Sequence, residues 1–205
     1  MKILIIRFSS IGDIVLTSPI VRSLKKQLNA EVHFLTKQSY QQLLEHNPYI
    51  DKLFAIQKKV SKVIPDLKKE GYDYIIDLHK NLRSAQVKLA IKAQSYSFDK
   101  INFEKWLMVN FKINRLPQKQ IVDRYFEAIE DLGVQNDGEG LDYFLPDHLK
   151  VNVSVPTTYI VFAIGAAHAT KRLPKEKIIS ICKKIKQSVL LLGGKDVAYE
   201  GTEIV

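Results

Sequence analysis

Three short stretches hold the residues best suited to chemistry. The first is Arg7-Phe8-Ser9-Ser10-Ile11-Gly12-Asp13, a small-residue loop with one glycine and one acid, directly after the apolar run Ile3-Leu4-Ile5-Ile6. A carboxylate at Asp13 is suited to taking a proton from a hydroxyl. The competing reading is a helix cap, because aspartate accepts hydrogen bonds from free backbone amides. The second stretch, Ala166-Ala167-His168-Ala169-Thr170-Lys171-Arg172-Leu173-Pro174, follows another apolar run. Hydroxyl and cationic side chains just ahead of a helix amino terminus suit an anion such as a phosphate, since the free amides and the positive dipole end face it as well. The competing reading is a basic loop on a basic surface. The third stretch sets Asp77, Asn81 and Arg83 between a strand-like run and a helix, where crevice-lining residues and plain helix caps are equally open. One glycine in the first loop falls short of the three-glycine dinucleotide fingerprint, which argues against a nicotinamide or flavin site there.

The elements that must position these loops follow from periodicity. Leu16, Ile20, Leu24 and Leu28 recur every four residues, with Val21 among them, and predict one helical stripe; Ser18-Pro19 fits an N-cap followed by a first-turn proline. Residues 31–36, 52–56 and 72–78 read as strands, and residues 37–46 and 60–69 as helices, the latter stopped by Gly71. Strands alternating with helices predict an α/β fold with a parallel sheet, in which ligands sit beyond the carboxyl ends of the strands. Residues 95–98 read as an edge strand. Residues 102–112 are aromatic and basic; core packing is the expectation for them, over contact with lipid or acceptor. A helix opens at Ile121 and ends at Gly133. Turn-rich residues 135–140 and 146–156 mark a linker, giving domains 1–150 and 151–205. The second domain begins with a buried strand at residues 159–165, a helix from Lys175 to Lys186 with Pro174 in its first turn, and a strand at residues 188–192.

Composition narrows the class. The 205 residues carry a net charge of +9, but the lysines are scattered in pairs such as Lys25-Lys26, Lys58-Lys59 and Lys183-Lys184, without interleaved aromatics. Nucleic-acid binding therefore has only net charge in its favour, and is not expected; contact with anionic lipid is compatible with the same charge. The single cysteine, Cys182, excludes a disulfide framework and lies in an apolar run that predicts a buried, inert thiol. No apolar run approaches the ~20 residues of a membrane span, and a cytoplasmic chain is expected. None of the five histidines has ligand-like spacing with another, so no metal site is expected.

The opening Lys2-to-Pro19 stretch, KILIIRFSSIGDIVLTSP, closely resembles the amino-terminal signature of glycosyltransferase family 9, the lipopolysaccharide heptosyltransferases. The D-x-x-x-x-x-R-S pattern from Asp77 to Ser84 and the G-A-x-x-x-T-K-R-L-P pattern from Gly165 to Pro174 agree with it. The resemblance implies a GT-B-like fold: a Rossmann-like amino-terminal domain on the acceptor side, plus the first part of a second Rossmann-like domain that binds the nucleotide-sugar. It implies Asp13 as catalytic base, Lys171 on the donor phosphates with Thr170 and Arg172 assisting, and Asp196 on the ribose. Ser9, Ser10, Gly12, Asp77, Asn81 and Arg83 become cleft or acceptor candidates. The implied reaction is inverting transfer of heptose from ADP-heptose, without cofactor or metal, to a lipid-anchored core oligosaccharide at the inner face of the inner membrane. The family pattern continues with a D-T-G-x-x-H segment that does not occur here, so a fragment or a truncated chain is expected. A non-catalytic nucleotide- or sugar-binding module is the alternative if the chain ends at Val205.

Overall fold

The computed structural model describes residues 1–146, 155–166 and 168–204. The chain divides into two compact units, Met1–Leu149 and Lys150–Val205. Much of the linker expected at residues 146–156 lies outside the described residues.

The first unit is built around β1 (Lys2–Ile6), whose Ile3, Leu4, Ile5 and Ile6 are fully buried. Burial of each such side chain contributes about 1.5–3 kcal/mol relative to leaving it exposed. After α1 (Ile11–Val15) and α2 (Ser18–Leu28), β2 (Glu31–Lys37) pairs in parallel with β1, and β3 (Lys52–Ile56) pairs with β2. Beyond α3 (Ile64–Lys69) the chain crosses to the other side of β1, where β4 (Tyr74–Asp77) pairs with β1. Helix α4 (Leu82–Ile91) leads to the edge strand β5 (Gln94–Ser97), followed by α5 (Asn102–Phe111) and α6 (Ile121–Glu127). The all-parallel order is β3-β2-β1-β4-β5. Strand order reverses between β1 and β4, which opens a crevice beyond their carboxyl ends.

Successive β1 side chains feed opposite layers, as the two-residue pleat requires. Ile3 and Ile5 pack with Val21 and Leu24 of α2 and Tyr125 of α6, whereas Leu4 and Ile6 pack with Ile56, Leu67 and Val87. Arg22 of α2 has a side chain only 2% exposed and fastens the following loop: its guanidinium clamps Asp137 at 2.6 and 2.7 Å, bonds the Gly140 carbonyl at 3.0 Å and pairs with Asp142. Residues 135–140 thereby close the first unit instead of acting as a free linker.

The second unit contains β6 (Tyr159–Ala163), α7 (Lys175–Cys182), β7 (Ser188–Leu192) and α8 (Ala198–Ile204), with β6 and β7 parallel. Its small core is Ile164, Ile178 and Val197. Gly193 is required there, because a Cβ would lie 2.5 Å from the Val197 side chain.

Several sequence expectations change. Thr17 caps α2 where Ser18 was expected, because the chain has already turned through α1. Residues 38–43 form a 3-10 helix, too short and polar to sustain an α-helix, and 60–69 split into a 3-10 turn and α3. The helix from Ile121 breaks after Glu127 and reaches Gly133 through a 3-10 turn. Pro174 is the N-cap of α7, not a residue within it, and α7 stops at Cys182. Cys182 is half-buried. Tyr159, Ile160 and Val161 are exposed on β6, and α5 buries none of its side chains, against the expectation of core packing for both.

Candidate functional site

Asp13 sits in the crevice beyond β1, on the third residue of α1, whose N-cap is Ser10. The fold makes it part of a cap and more. Its Oδ2 accepts from the Ser10 amide at 3.2 Å and the Ser10 hydroxyl at 2.9 Å, and pairs with Arg7 Nη2 at 2.6 Å. Among the described residues no hydrogen bond reaches Oδ1, and the side chain is 39% exposed. Burial acts most strongly on this carboxyl and raises its pKa, but the Ser10 amide, the Arg7 charge and the remaining bonds outweigh it. The carboxyl therefore lies below the ordinary aspartate value. Asp13 is an anchored carboxylate with one oxygen open.

Arg7, the residue after β1, is itself buried and fixed. Its Nε donates to the Ser9 carbonyl at 2.8 Å, and its Nη1 donates to the Leu78 carbonyl and, at 3.2 Å, to the Tyr125 hydroxyl. Tyr125 is fully buried, and burial pushes its phenol up to about 12, so it stays protonated. The sequence pointed to Asp13 and missed this support. Its one visible signal was a cation where a buried strand meets its loop.

The other first-unit candidates separate by environment. Asp77 is buried and consumed by its turn: Oδ1 accepts from the amides of His79 at 3.0 Å and Lys80 at 2.7 Å, and Oδ2 pairs with Lys88 at 3.1 Å. Asn81 is the N-cap of α4 in a reciprocal box with Ser84. Both act as caps and turn formers. Arg83 is exposed, as are Ser10 and Gly12, while Ser9 is half-buried; a Cβ on Gly12 would meet nothing within 4 Å. His79, which sequence reasoning passed over, packs edge-on against Phe8 at 5.1 Å. Burial, then the charges of Arg7 and Lys100, hold its imidazole down at about 4, so it is neutral near pH 7. Beyond β2 and β3 lies a cavity of about 670 Å³ lined by Gln38, Gln41, Lys58, Lys59 and Lys62 among others. The paired lysines had been read as solvated surface.

In the second unit, the loop after β6 turns through a 3-10 segment, Ala169–Lys171, into α7. Thr170 and Lys171 are exposed. Arg172 donates from Nε to the Ala166 carbonyl at 2.6 Å and from Nη2 to Asp196 Oδ2 at 3.1 Å. Candidates from the loops after β6 and β7 thus meet. Ala167 lies outside the described residues.

Glu31, His33 and Glu70 place three possible metal-ligand atoms within 4.8 Å of one another, at the amino ends of the strands and away from Asp13. Lys2 Nζ stands 3.1 Å from both carboxylates, and Lys52 also pairs with Glu70. Both His33 nitrogens are engaged, with Tyr72 and Glu31 at 2.9 Å. Ammonium groups occupy the place a metal would take, and the cluster reads as a structural ion-pair network.

The family model described as glycosyltransferase family 9 (heptosyltransferase) matches residues 60–205. The chain belongs to glycosyltransferase family 9. It is 27% identical to lipopolysaccharide heptosyltransferase 1 of Campylobacter coli, over 90% of this chain and 60% of that protein. Among solved structures, a family 9 glycosyltransferase from Veillonella parvula aligns over all of this chain and 65% of its own, at TM-score 0.75 and 22% identity. The E. coli heptosyltransferase WaaC, solved with ADP, aligns over all of this chain and 71% of its own, at TM-score 0.72 and 19% identity. The α/β, parallel-sheet fold is the GT-B fold of these family 9 structures. The chain spans about three-fifths of the length of its curated relative.

Proposed function

We propose that this family 9 chain takes part in inverting, metal-independent transfer of heptose, or a related sugar, from a nucleotide diphosphate to a lipopolysaccharide-core-type acceptor. One observation carries the reading: a carboxylate kept ionised by Arg7 and Ser10 through one oxygen, with the other free, at the reversal point of the sheet. Asp13 Oδ1 takes the proton of the acceptor hydroxyl as its oxygen attacks the anomeric carbon. The bond from that carbon to the diphosphate oxygen breaks from the opposite face, and its electron pair leaves with the diphosphate. Lys171, with Thr170, Arg172 and the amino terminus of α7, neutralises the departing charge in place of a metal. Asp196 both holds Arg172 and offers a ribose acceptor. The ADP held by the E. coli relative fits this reading of the donor. The lysine-lined cavity beyond β2 and β3 suits an anionic acceptor sugar, and a lipid-anchored acceptor would be met at the cytoplasmic face of the membrane.

The test is Asp13→Asn, assayed for transfer from ADP-heptose to a core acceptor and, separately, for ADP binding by calorimetry. Transfer is expected to fall by at least about a thousand-fold, at the middle of the range for losing a general base, while ADP affinity is unchanged. Wild-type turnover in the variant overturns the assignment. ADP binding with no transfer by the unsubstituted chain identifies a binding module instead.

A further inference from the structure

Helix α5 has no buried residue although it is ten residues long and half aromatic or aliphatic. Phe103 is 62% exposed, Trp106 51%, Val109 67% and Phe111 59%, and Met108 and Ile113 are exposed with them. The rings form one patch: Phe103 stacks on Trp106 at 6.1 Å, and Trp106 meets Phe111 edge-on at 5.2 Å. Leu107 and Glu104 are half-buried and face away from full solvent. From residue 100 to residue 115 the cations are Lys100, Lys105, Lys112 and Arg115, against the single acid Glu104.

We propose that α5 is a docking element for an anionic phospholipid bilayer. The rings of Phe103, Trp106 and Phe111 lie at the boundary of headgroups and acyl chains, and the exposed cations Lys105, Lys112 and Arg115 lie on lipid phosphates, whereas Lys100 is half-buried and faces Arg7 and Asp77. Exposed aromatic side chains beside cations are the composition that partitions into a charged bilayer interface. The basic flanks select anionic headgroups within a Debye length of the surface. A second copy docking through this same face does not fit as occupant, because it would set exposed cations against the same cations. Phe103, Trp106 and Phe111 are not among the residues assigned to transfer, so substituting them tests the proposal separately from the catalytic reading.

Trp106 is the only tryptophan of the chain, so intrinsic fluorescence reads this helix alone. The experiment adds phosphatidylcholine vesicles, with or without phosphatidylglycerol, to the full chain and follows Trp106 emission and flotation. With phosphatidylglycerol the emission is expected to move to shorter wavelength and the protein to float with the vesicles, both reversed by high salt. The double variant Phe103→Ser/Phe111→Ser, which keeps the reporter and alters only exposed positions, is expected to bind at least about ten-fold more weakly with an unchanged far-ultraviolet circular dichroism spectrum. Absence of both shift and flotation overturns the proposal. So does equal binding to phosphatidylcholine alone, undiminished binding by the double variant, or a Trp106 shift that follows protein concentration without vesicles. ADP affinity, measured alongside, is expected not to change in any arm.

Discussion

Asp13 shows how a side chain serves as a cap and a candidate base at once. All its described bonds converge on Oδ2, so the structural duty leaves Oδ1 for chemistry. The cation that holds it is nearly as fixed as backbone, because Arg7 is tied to two carbonyls and a buried phenol. Arg7→Met removes the positive charge beside Asp13 and keeps much of the side-chain volume. The Asp13 titration, followed by carboxyl carbon chemical shift, is then expected to move upward, since burial opposes ionisation and one of its main counterweights is gone. In the unsubstituted protein the folded value lies below the unfolded value of 3.8. The stability it contributes is therefore complete above that unfolded value and is lost as pH falls through the folded one. An unmoved titration in Arg7→Met would show that the Ser10 bonds alone set the ionisation. Sequence reasoning reached Asp13 through a loop pattern; Arg7, Tyr125 and His79 were out of its reach because only the fold joins them, through the pairing of β1 with β4, 71 residues apart at Arg7 and Leu78, and through α6, 118 residues apart at Arg7 and Tyr125.

At the scale of elements, the legible parts were those whose pattern is fixed by burial on a single scale. The apolar run of β1 and the stripe of Ile20, Leu24 and Leu28 on α2 sit where periodicity put them, with Leu16 falling at the C-cap of α1, and the strand read at residues 72–78 forms as β4 over Tyr74–Asp77. Segments that depend on distant polar partners were misread. Residues 135–140 have the composition of a linker, yet Arg22 of α2 anchors them through Asp137, Asp142 and Gly140. Asp137 is held down at about 2, chiefly by its bond to Arg22. Arg22→Ala leaves two carboxylates side by side without their cation. Because each is only about a fifth exposed, the loss is expected to be about 2–4 kcal/mol, near the lower edge of that for a fully buried pair. Urea unfolding checks the magnitude. Limited proteolysis with a glutamate-specific protease checks the cause, since Glu139 lies inside the released loop and is expected to become a cleavage site. Resistance at Glu139 with normal stability would mean that Ser18, which accepts the Asp142 amide at 2.9 Å, and Gln27, which bonds the Gln135 amide and carbonyl at 3.0 and 2.7 Å, hold the loop without Arg22.

Over the whole molecule, the two units differ in how much core each can supply for itself. Among the described residues, both layers of the first unit are lined by residues between Ile3 and Val134, and fully buried Ile, Leu and Phe side chains fill them. Among its described residues the second unit has three buried apolar side chains, Ile164, Ile178 and Val197, and leaves Tyr159, Ile160 and Val161 of β6 exposed. Conformational entropy charges both units by the residue, at about 1–2 kcal/mol for each backbone position fixed, whereas hydrophobic gain follows apolar area removed from water. A piece of about 50 residues is already near the limit for folding without metals, disulfides or a partner, even with a well-filled core. Residues 1–146 produced alone are therefore expected to unfold in one cooperative transition, with a urea midpoint close to that of the highest-urea transition of the full chain. Residues 155–205 produced alone are expected to show collapsed amide chemical-shift dispersion and no cooperative transition. A cooperative transition in the short piece would mean that the interior of the second unit is better filled than its three buried side chains indicate. Loss of the transition in the long piece would mean that the paired layers around β1 do not suffice, and that the first unit draws stability from the residues removed.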